Sequence, residues 1–594
     1  MDTMKKNIWI LGLVVLGLTA CLKPYEDTSF VPQPAVITWS EPSKSVSKDA
    51  TEFEITLHSN LPWRAVPSVP WLSVTPSRGL GDAVLTVKVA KNRTVEQRTG
   101  ILRVIVTEDQ YSEFSVTQGA AEGGDSNTYF VRENGDATAS GLSWANATTL
   151  SNAIELAADG DAIYVAAGLY APEAFLENTD GTDVCDKTFQ IHSNFLLQGG
   201  FPANADDATF DAVADYDPSV NVTTLSGTLE DGKNAYHVIT VTSAKIDGKK
   251  AVLKGFTVTG GKSASEETFV TVGSSTFKRS HGAGLNVGAS VLEIQDCIST
   301  GNEAGLHAAG AIFNARSEVY MTDCRVVSNE AKNNAAGLWN CGGTLYMNRC
   351  TIADNIAGQQ AAGYYSINSD GAPSVSRIYN TTISGNTNTS VDGRSGGGAY
   401  IREYSDAVFV NCTFYGNKSG NGGGIQGYGG NGKNSTLRLI NCTITGNSAT
   451  VLGGGVSLWN NYNTTNIYNC IISGNQSPAG ADIGYGSSIG TNTPNLFYET
   501  TIVGNALYSS TGTAVSGAAF DSATMLSEFG LWGGMTQTCP LVESAGNPAC
   551  SQGMSKADLV SLGAGLTPVV EAAVFDTDQR GVARGQNTIG ATTL

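Results

Sequence analysis

Eight times between residues 296 and 505 the chain places an Asn five positions after a Cys or Thr. The segments are Asp296-Cys297 to Asn302, Asp323-Cys324 to Asn329, Arg349-Cys350 to Asn355, Asn380-Thr381 to Asn386, Asn411-Cys412 to Asn417, Asn441-Cys442 to Asn447, Asn469-Cys470 to Asn475 and Glu499-Thr500 to Asn505. The Asn recurs at steps of 26 to 31 residues, which is a solenoid period. Each period also holds a corner of small residues, from Gly282-Ala283-Gly284 through Ala308-Ala309-Gly310, Ala335-Ala336-Gly337, Ala361-Ala362-Gly363, Gly396-Gly397-Gly398 and Gly422-Gly423-Gly424 to Gly453-Gly454-Gly455. A single unit of this size cannot bury its own apolar face, so successive units must stack.

The strand phase follows from positions that stay apolar in every unit. One row follows the small corner (Leu285, Ala311, Leu338, Tyr364, Ala399, Ile425, Val456). A second lies three residues before the Cys/Thr position (Ile294, Met321, Met347, Ile378, Phe409, Leu439, Ile467, Phe497), and a third lies two residues after it (Val326, Ile352, Ile383, Phe414, Ile444, Ile472, Ile502). The last two rows are five residues apart, an odd number, so alternation must break at a bend between them. Asn380, Asn411, Asn441 and Asn469 mark that bend, because Asn tolerates left-handed backbone. The Cys/Thr position then faces inward. Stacked sulfurs about 4.8 Å apart at Cβ are too widely spaced for disulfides, so Cys297, Cys324, Cys350, Cys412, Cys442 and Cys470 are expected as a reduced, buried ladder. Cys539 and Cys550 are the better disulfide candidates. Three inward rows without room for helical crossovers predict an all-β fold whose bulk is a right-handed parallel β-helix; an α/β solenoid is the alternative. The open ends need covers. Residues 149–158, with helical spacing ahead of a strand at 162–165, are a candidate N-terminal plug, and residues 555–566 lie in the opposite tail.

The N-terminus carries a different signal. Lys5 and Lys6 precede an apolar run from Ile8 to Leu18 and then Leu18-Thr19-Ala20-Cys21, which resembles a bacterial export leader ending in a lipobox. The resemblance implies cleavage before Cys21, acylation of Cys21, and attachment to the outer membrane by that anchor alone. Glu26 and Asp27 resemble the surface-export signal of lipoproteins in Bacteroidota-like bacteria, so the outer, cell-surface leaflet is expected. A tether, 22–34, follows.

Residues 35–119 alternate apolar and polar positions in short runs (Glu52 to Leu57, Val84 to Val89, Leu102 to Val106, Phe114 to Thr117), the pattern of a small β-sandwich. Leu61-Pro62-Trp63, Trp71-Leu72-Ser73-Val74, Pro76, Gly79, Gly81, Asn92, Arg98-Thr99-Gly100 and Val116-Thr117-Gln118 resemble the BACON family. That resemblance implies an immunoglobulin-like sandwich and contact with glycan or mucin, with Trp63 and Trp71 either as sugar platforms or, as is commoner in so small a sandwich, as core. A spacer role is equally compatible. A polar linker, 120–127, separates this module from the β-helix and its N-terminal cap (128–505) and a C-terminal coil and cap (506–594). From about Thr128 onward, Gly141-Leu142-Ser143-Trp144-Ala145-Asn146-Ala147, Gly160-Asp161-Ala162-Ile163-Tyr164-Val165, the recurrent Thr-Ile-Ser-Gly-Asn, and Asp578-Gln579-Arg580-Gly581-Val582-Ala583-Arg584 with Ile589-Gly590-Ala591 resemble exported β-helix proteins of the choice-of-anchor, pectate-lyase-like type. Thr592 stands where that pattern has an acid, which leaves the subtype open.

The fold hosts both enzymes and binders, so function must be argued from sites. A net charge of −19, from 35 Lys and Arg against 54 Asp and Glu, and the absence of any basic run disfavour nucleic acid. An acidic surface also repels polyanionic glycans at long range unless a local basic groove overrides it. Asp296, Asp323 and Arg349 share one bend position on three successive units and are the nearest approach to a catalytic constellation, with simple replacement of a bend Asn as the bland alternative. Gly427 to Gly432 and Gly486 to Gly490 match a dinucleotide string and a nucleophile elbow, but neither is followed by a helix. The histidines (His58, His192, His237, His281, His307) show no metal-ligand pairing. Asp180, Asp183 and Asp186 offer a loop for calcium or are simply solvated; no other cofactor is expected. The stronger candidate is aromatic. Trp339, Tyr365 and Tyr400, then Arg402, Tyr428 and Trp459, occupy outward positions on consecutive units and would form a diagonal platform on which sugars stack, or else cross-strand pairs that only stabilise the sheet. These readings together predict a surface glycan-binding lipoprotein for mucin-type or dietary polysaccharide. A polysaccharide lyase or glycoside hydrolase, and a protein-binding adhesin, are the alternatives.

Overall fold

The computed structural model describes residues 35–594 except 50, 70, 90–91, 93–96, 108, 121–125, 307–308, 391–395, 431, 460–461, 487–495, 505–519, 567–568 and 585–586. The leader, Cys21, the tether, Asn505 and most of the Gly486 to Gly490 string lie outside the described residues. The chain divides at Gly119/Ala120 into two compact units.

The first unit is a β-sandwich. A four-stranded sheet (Ile37–Trp39, Thr51–Ser59, Ala83–Val89, Leu72–Thr75) faces a five-stranded one (Ser43–Val46, Gln110–Gln118, Arg98–Thr107, Pro62–Pro67, Arg78–Leu80). Alternate residues of both sheets, among them Leu57, Leu85, Val87, Val104, Phe114 and Val116, make its core. Trp63 belongs to that core and donates its indole N–H to Gly81 O at 2.8 Å. Trp71 packs at the core's edge beneath the guanidinium of Arg98, 4.4 Å from the ring centroid.

The second unit is a parallel β-helix with sheets of 12, 11, 10 and 7 strands, each successive strand pairing in parallel with its counterpart one coil on. The three inward rows fill a single continuous core, in which every Ile, Leu or Phe taken wholly out of water contributes roughly 1.5–3 kcal/mol. The bend between the first two sheets lies where expected: Asp296, Asp323, Arg349, Asn380, Asn411, Asn441 and Asn469 all have φ between 50° and 56°. A second left-handed row explains the Thr-Ile-Ser-Gly-Asn motif, since the residue before the ladder Asn is Gly301, Gly385, Gly416, Gly446 or Gly474 in five coils, all at positive φ. The fourth sheet, built of strands as short as Ile356–Ala357, was not legible from the inward rows.

In two coils the register differs by one residue from the sequence reading. Leu285 pairs with Ile312, not Ala311, and the corner's left-handed position belongs to Ala309. In the last coil Ile471 pairs with Ile502, Thr500 carries the bend at φ 46°, and Thr501 rather than Thr500 occupies the Cys position, accepting from Cys470 N at 3.3 Å. Ile467 accordingly pairs with Tyr498 and Ile472 with Val503, each one residue beyond the Phe497 and Ile502 of the sequence reading. Both slips fall where neighbouring residues are chemically alike, Ala308 to Ala311 and Thr500-Thr501, so composition does not distinguish the alternatives.

The recurrent Asn is a buried hydrogen-bonded ladder. The backbone N–H and Nδ2 of each donate to Oδ1 of the next, as in Asn386 to Asn417 (3.0 and 2.9 Å) and Asn417 to Asn447 (3.0 and 2.9 Å). The series ends on Asp482, whose Oδ1 accepts both donors of Asn475.

All ten described cysteines are free, and the six ladder cysteines are buried. The expected Cys539–Cys550 disulfide is not formed. Both thiols are instead small apolar fillers of a cluster containing Ile471, Ile502, Leu526 and Leu541, and Cys550 Sγ bonds to Val542 O at 3.6 Å. In the ladder, Cys412 and Cys442 bond to carbonyls two residues back, at 3.3 and 3.4 Å. Because Thr381 and Thr501 hold equivalent positions, Cys442→Thr is expected to change the urea unfolding free energy by less than about 1 kcal/mol. Cys442→Leu, which must fit additional methylenes into a closed core, should lower it by about 1–3 kcal/mol.

The N-terminal plug forms as a helix, Leu150–Leu156, capped by the Thr149 hydroxyl, with Leu150, Ala153 and Ile154 buried on the first coil. The C-terminal tail contains the helix Lys556–Ala564, but its described residues pack along the flank rather than over an open end. Leu559, Val570 and Phe575 cover the outward residues Val408, Val410 and Ile440. Gln579 bonds to Thr413 and Thr382 (2.6 and 2.9 Å), and the buried Arg584 bonds to Asn411 and Gly590.

Candidate functional site

The bend position places Asp296, Asp323 and Arg349 on adjacent coils, but each carboxylate is already engaged. Arg349 grips Asp323 through two parallel hydrogen bonds of 2.7 and 2.6 Å, and Asp296 accepts from the Tyr216 hydroxyl at 2.8 Å. Burial together with this bond pushes the Tyr216 hydroxyl well above the usual phenol range. The arrangement ties a loop to the helix flank and leaves no adjacent pair of free carboxylates. The acidic loop behaves similarly. Asp186 is paired with Arg279 at 2.6 and 2.7 Å, Asp183 with Tyr236 at 2.9 Å, and Asp180 with Thr182, and no group of three potential metal ligands occurs among the described residues.

The outward aromatic row on the ten-stranded sheet forms, one member longer than its sequence reading. Strand pairing aligns Phe313, Trp339, Tyr365 and Tyr400. Their ring centroids step at 5.6, 4.9 and 5.6 Å. His281 lies over the first two, 4.8 Å from Phe313 and 5.7 Å from Trp339. Arg402, Tyr428 and Trp459 form the neighbouring row, Arg402 lying over the rings of Tyr400 (5.7 Å) and Tyr428 (5.2 Å).

The reading of this row as an open platform needs correction. Tyr365 and Tyr400 are 2% and 1% exposed. The Tyr365 hydroxyl donates to Gln360 at 2.7 Å and accepts from Arg402 at 3.0 Å, and burial pushes it up to about 12 against the pull of that guanidinium. These two rings are the backing of the face, whereas Trp339, Tyr428, Trp459 and Arg402 are half-buried and reach solvent. Trp339 Nε1, Trp459 Nε1 and Arg402 Nε have no hydrogen-bond partner among the described residues.

At its Phe313 end the row opens into a groove of about 350 Å³. Its floor is a line of small residues, Gly288, Ala315 and Cys341, that continue the Arg402 row onto earlier coils. One wall is the antiparallel hairpin Phe269–Val272 with Ser275–Lys278, held down by Leu176 packing on Val270, Val272 and Phe277. The other is the turn carrying Asp370. His281 and Phe313 line the groove and also touch Trp339, so groove and aromatic row form one surface. Sequence reading missed the groove because the hairpin is an insertion outside the repeat. It missed Phe313 because the one-residue slip in that coil put Ile312 in its place.

Residues 62–119 match the model of the BACON family, described as "Putative binding domain, N-terminal". No curated protein matches the chain. Among solved structures, a Bacteroides ovatus GH5 xyloglucanase in complex with a XXXG heptasaccharide is 11% identical over 28% of this chain and 45% of its own, with a TM-score of 0.14. The chain thus matches less than half the length of that enzyme. Pectate lyase Pel9A is 14% identical over 68% of this chain and 84% of its own, at a TM-score of 0.37. A rhamnogalacturonan lyase is 12% identical over 63% and 87%, at 0.33.

Proposed function

We propose that this chain is a glycan-binding lipoprotein held at the outer-membrane surface by an acyl group on Cys21, taking mucin-type or dietary polysaccharide on the outer face of its ten-stranded sheet. The observation that carries the reading is the continuity of the 350 Å³ groove with the aromatic row through His281 and Phe313. A sugar stacks its C–H face on the accessible part of an aromatic ring while its hydroxyls meet polar groups; Trp339, joined to the groove through His281 and Phe313, supplies the ring, and Ser275 and Lys278 in the groove supply polar groups. The BACON-like module, matched to a family described as binding, supports the same class of ligand. A binding role fits the face better than hydrolysis or elimination at Asp296, Asp323 and Arg349, whose carboxylates are consumed in the Tyr216 and Arg349 bonds.

The test is affinity electrophoresis of residues 22–594 in gels containing neutral, acidic and mucin polysaccharides, with the recovered polymer sized afterwards. Retardation without shortening is expected, and Trp339→Ala should weaken it by up to roughly tenfold, the worth of one aromatic contact. Shortened polymer would replace the binding reading by an enzymatic one. Unaltered migration in every gel would overturn both.

A further inference from the structure

Resting on the glycan-binding reading, we infer that the groove takes a sugar bearing an anionic group, a carboxylate or a sulfate, and that Asp370 occupies that group's place at Arg316 until the ligand displaces it. The chain as a whole is strongly acidic, yet the ionised side chains lining this groove are Lys278, Arg316 and a single acid, Asp370; Lys278 is itself paired with Glu267, outside the groove lining. Lys245 adds a further cation beside them, its Nζ donating to Arg316 O at 3.0 Å. Lys245, Lys278 and Arg316 against Asp370 and Glu267 leave a local positive excess in an acidic protein, and such an excess favours anionic ligands at short range.

The geometry at Arg316 is that of an exchangeable contact. Asp370 stands at φ 43° on a tight turn closed by reciprocal hydrogen bonds between Ser369 and Ala372 (3.1 and 2.8 Å). It reaches Arg316 Nη2 at 2.5 Å while its side chain remains 87% exposed, against 51% for Arg316. Among the described residues Asp370 is the only side-chain partner of Arg316, and only Nη2 engages it, so the remaining N–H groups of the fork are available. So exposed an ion pair contributes little to folding. A guanidinium nevertheless binds a planar carboxylate or a sulfate through paired hydrogen bonds, so a ligand anion held in the groove by its sugar ring can take over the fork. Arg316 itself is held in place by its backbone, at φ 52° with its N–H donating to Cys341 O at 3.1 Å.

Polygalacturonate and its fully methyl-esterified form share a backbone and differ in charge; chondroitin sulfate and desulfated chondroitin separate sulfate from carboxylate. Binding of each polymer to the full chain and to D370N and R316A is measured by affinity electrophoresis. For at least one charged polymer, D370N should tighten binding about threefold or more and R316A weaken it about tenfold, with the uncharged or less charged partner insensitive to both. The polymer that shows this pattern identifies which anion is read. The inference is overturned if D370N leaves every affinity unchanged, or if neither charged polymer binds more tightly than its esterified or desulfated partner; glycan binding itself then still stands. Absence of binding by all four polymers overturns the inference and, with the neutral panel, the reading beneath it.

Discussion

Asn417→Ala should lower the urea unfolding free energy of the β-helix by roughly 3–5 kcal/mol. The substitution removes the donors to Ile383 O (2.8 Å) and Asn447 Oδ1 (2.9 Å), and it strips the backbone N–H and Nδ2 of Asn386 of their common acceptor. All of these groups are wholly buried, where each unmet donor costs about 1–3 kcal/mol. Asn417→Asp should also destabilise. It preserves the acceptor for Asn386, but its second oxygen would face Ile383 O and Asn447 Oδ1, both acceptors. A carboxylate is accommodated only where the ladder stops, at Asp482. A loss below about 1 kcal/mol for Asn417→Ala would show that the coils do not depend on amide continuity.

Asp406→Ala is the second large effect. Arg377, 1% exposed on the outer face of the twelve-stranded sheet, has Asp406 as its counter-ion at 2.9 Å, and Asp406 also binds Arg438. Removing Asp406, itself 28% exposed, takes from the buried Arg377 guanidinium its counter-ion at 2.9 Å, at a cost of up to about 3–5 kcal/mol. Replacing both partners by apolar residues of similar size removes that penalty, so Arg377→Met with Asp406→Leu should recover most of the stability lost by the single variant. Unfolding of the two singles and the double in urea measures the coupling. If the double is no more stable than Asp406→Ala, the pair is stabilised through its backbone contacts, Arg377 to Ser376 O and Asp406 O, and not as an ion pair.

Much of the solenoid was legible because its signals are periodic and chemically unambiguous. Ile, Phe and Leu rows must face inward, and Asn380, Asn411, Asn441 and Asn469 stand where left-handed backbone is required. The interchangeable Cys and Thr proved to be buried thiols and hydroxyls bonded to local carbonyls. Legibility failed where neighbours are alike, in Ala308 to Ala311 and Thr500-Thr501, and where a residue's role depends on distant partners. The ladder Asn were recognisable as landmarks, but that each accepts from the coil before is a property of stacked coils.

The candidate site shows the same division more sharply. Trp339, Tyr365, Tyr400, Arg402, Tyr428 and Trp459 were placed on one outward face by strand alternation, a local rule with a period of two residues that sequence carries in full. Burial is not local. Tyr365 and Tyr400 are enclosed because side chains such as Gln360 and Arg402 pack on them, and the groove at the Phe313 end of the row exists because an inserted hairpin and a turn at Asp370 wall it in. Sequence by itself therefore determined the coil, its bends and, outside the two coils where like neighbours hide the register, the direction of the side chains in the three recognised rows. Which outward side chains still meet water, and which cations gather in one groove, only the tertiary structure decided, since solvent access and electrostatic fields are sums over neighbours that the chain brings together only by folding.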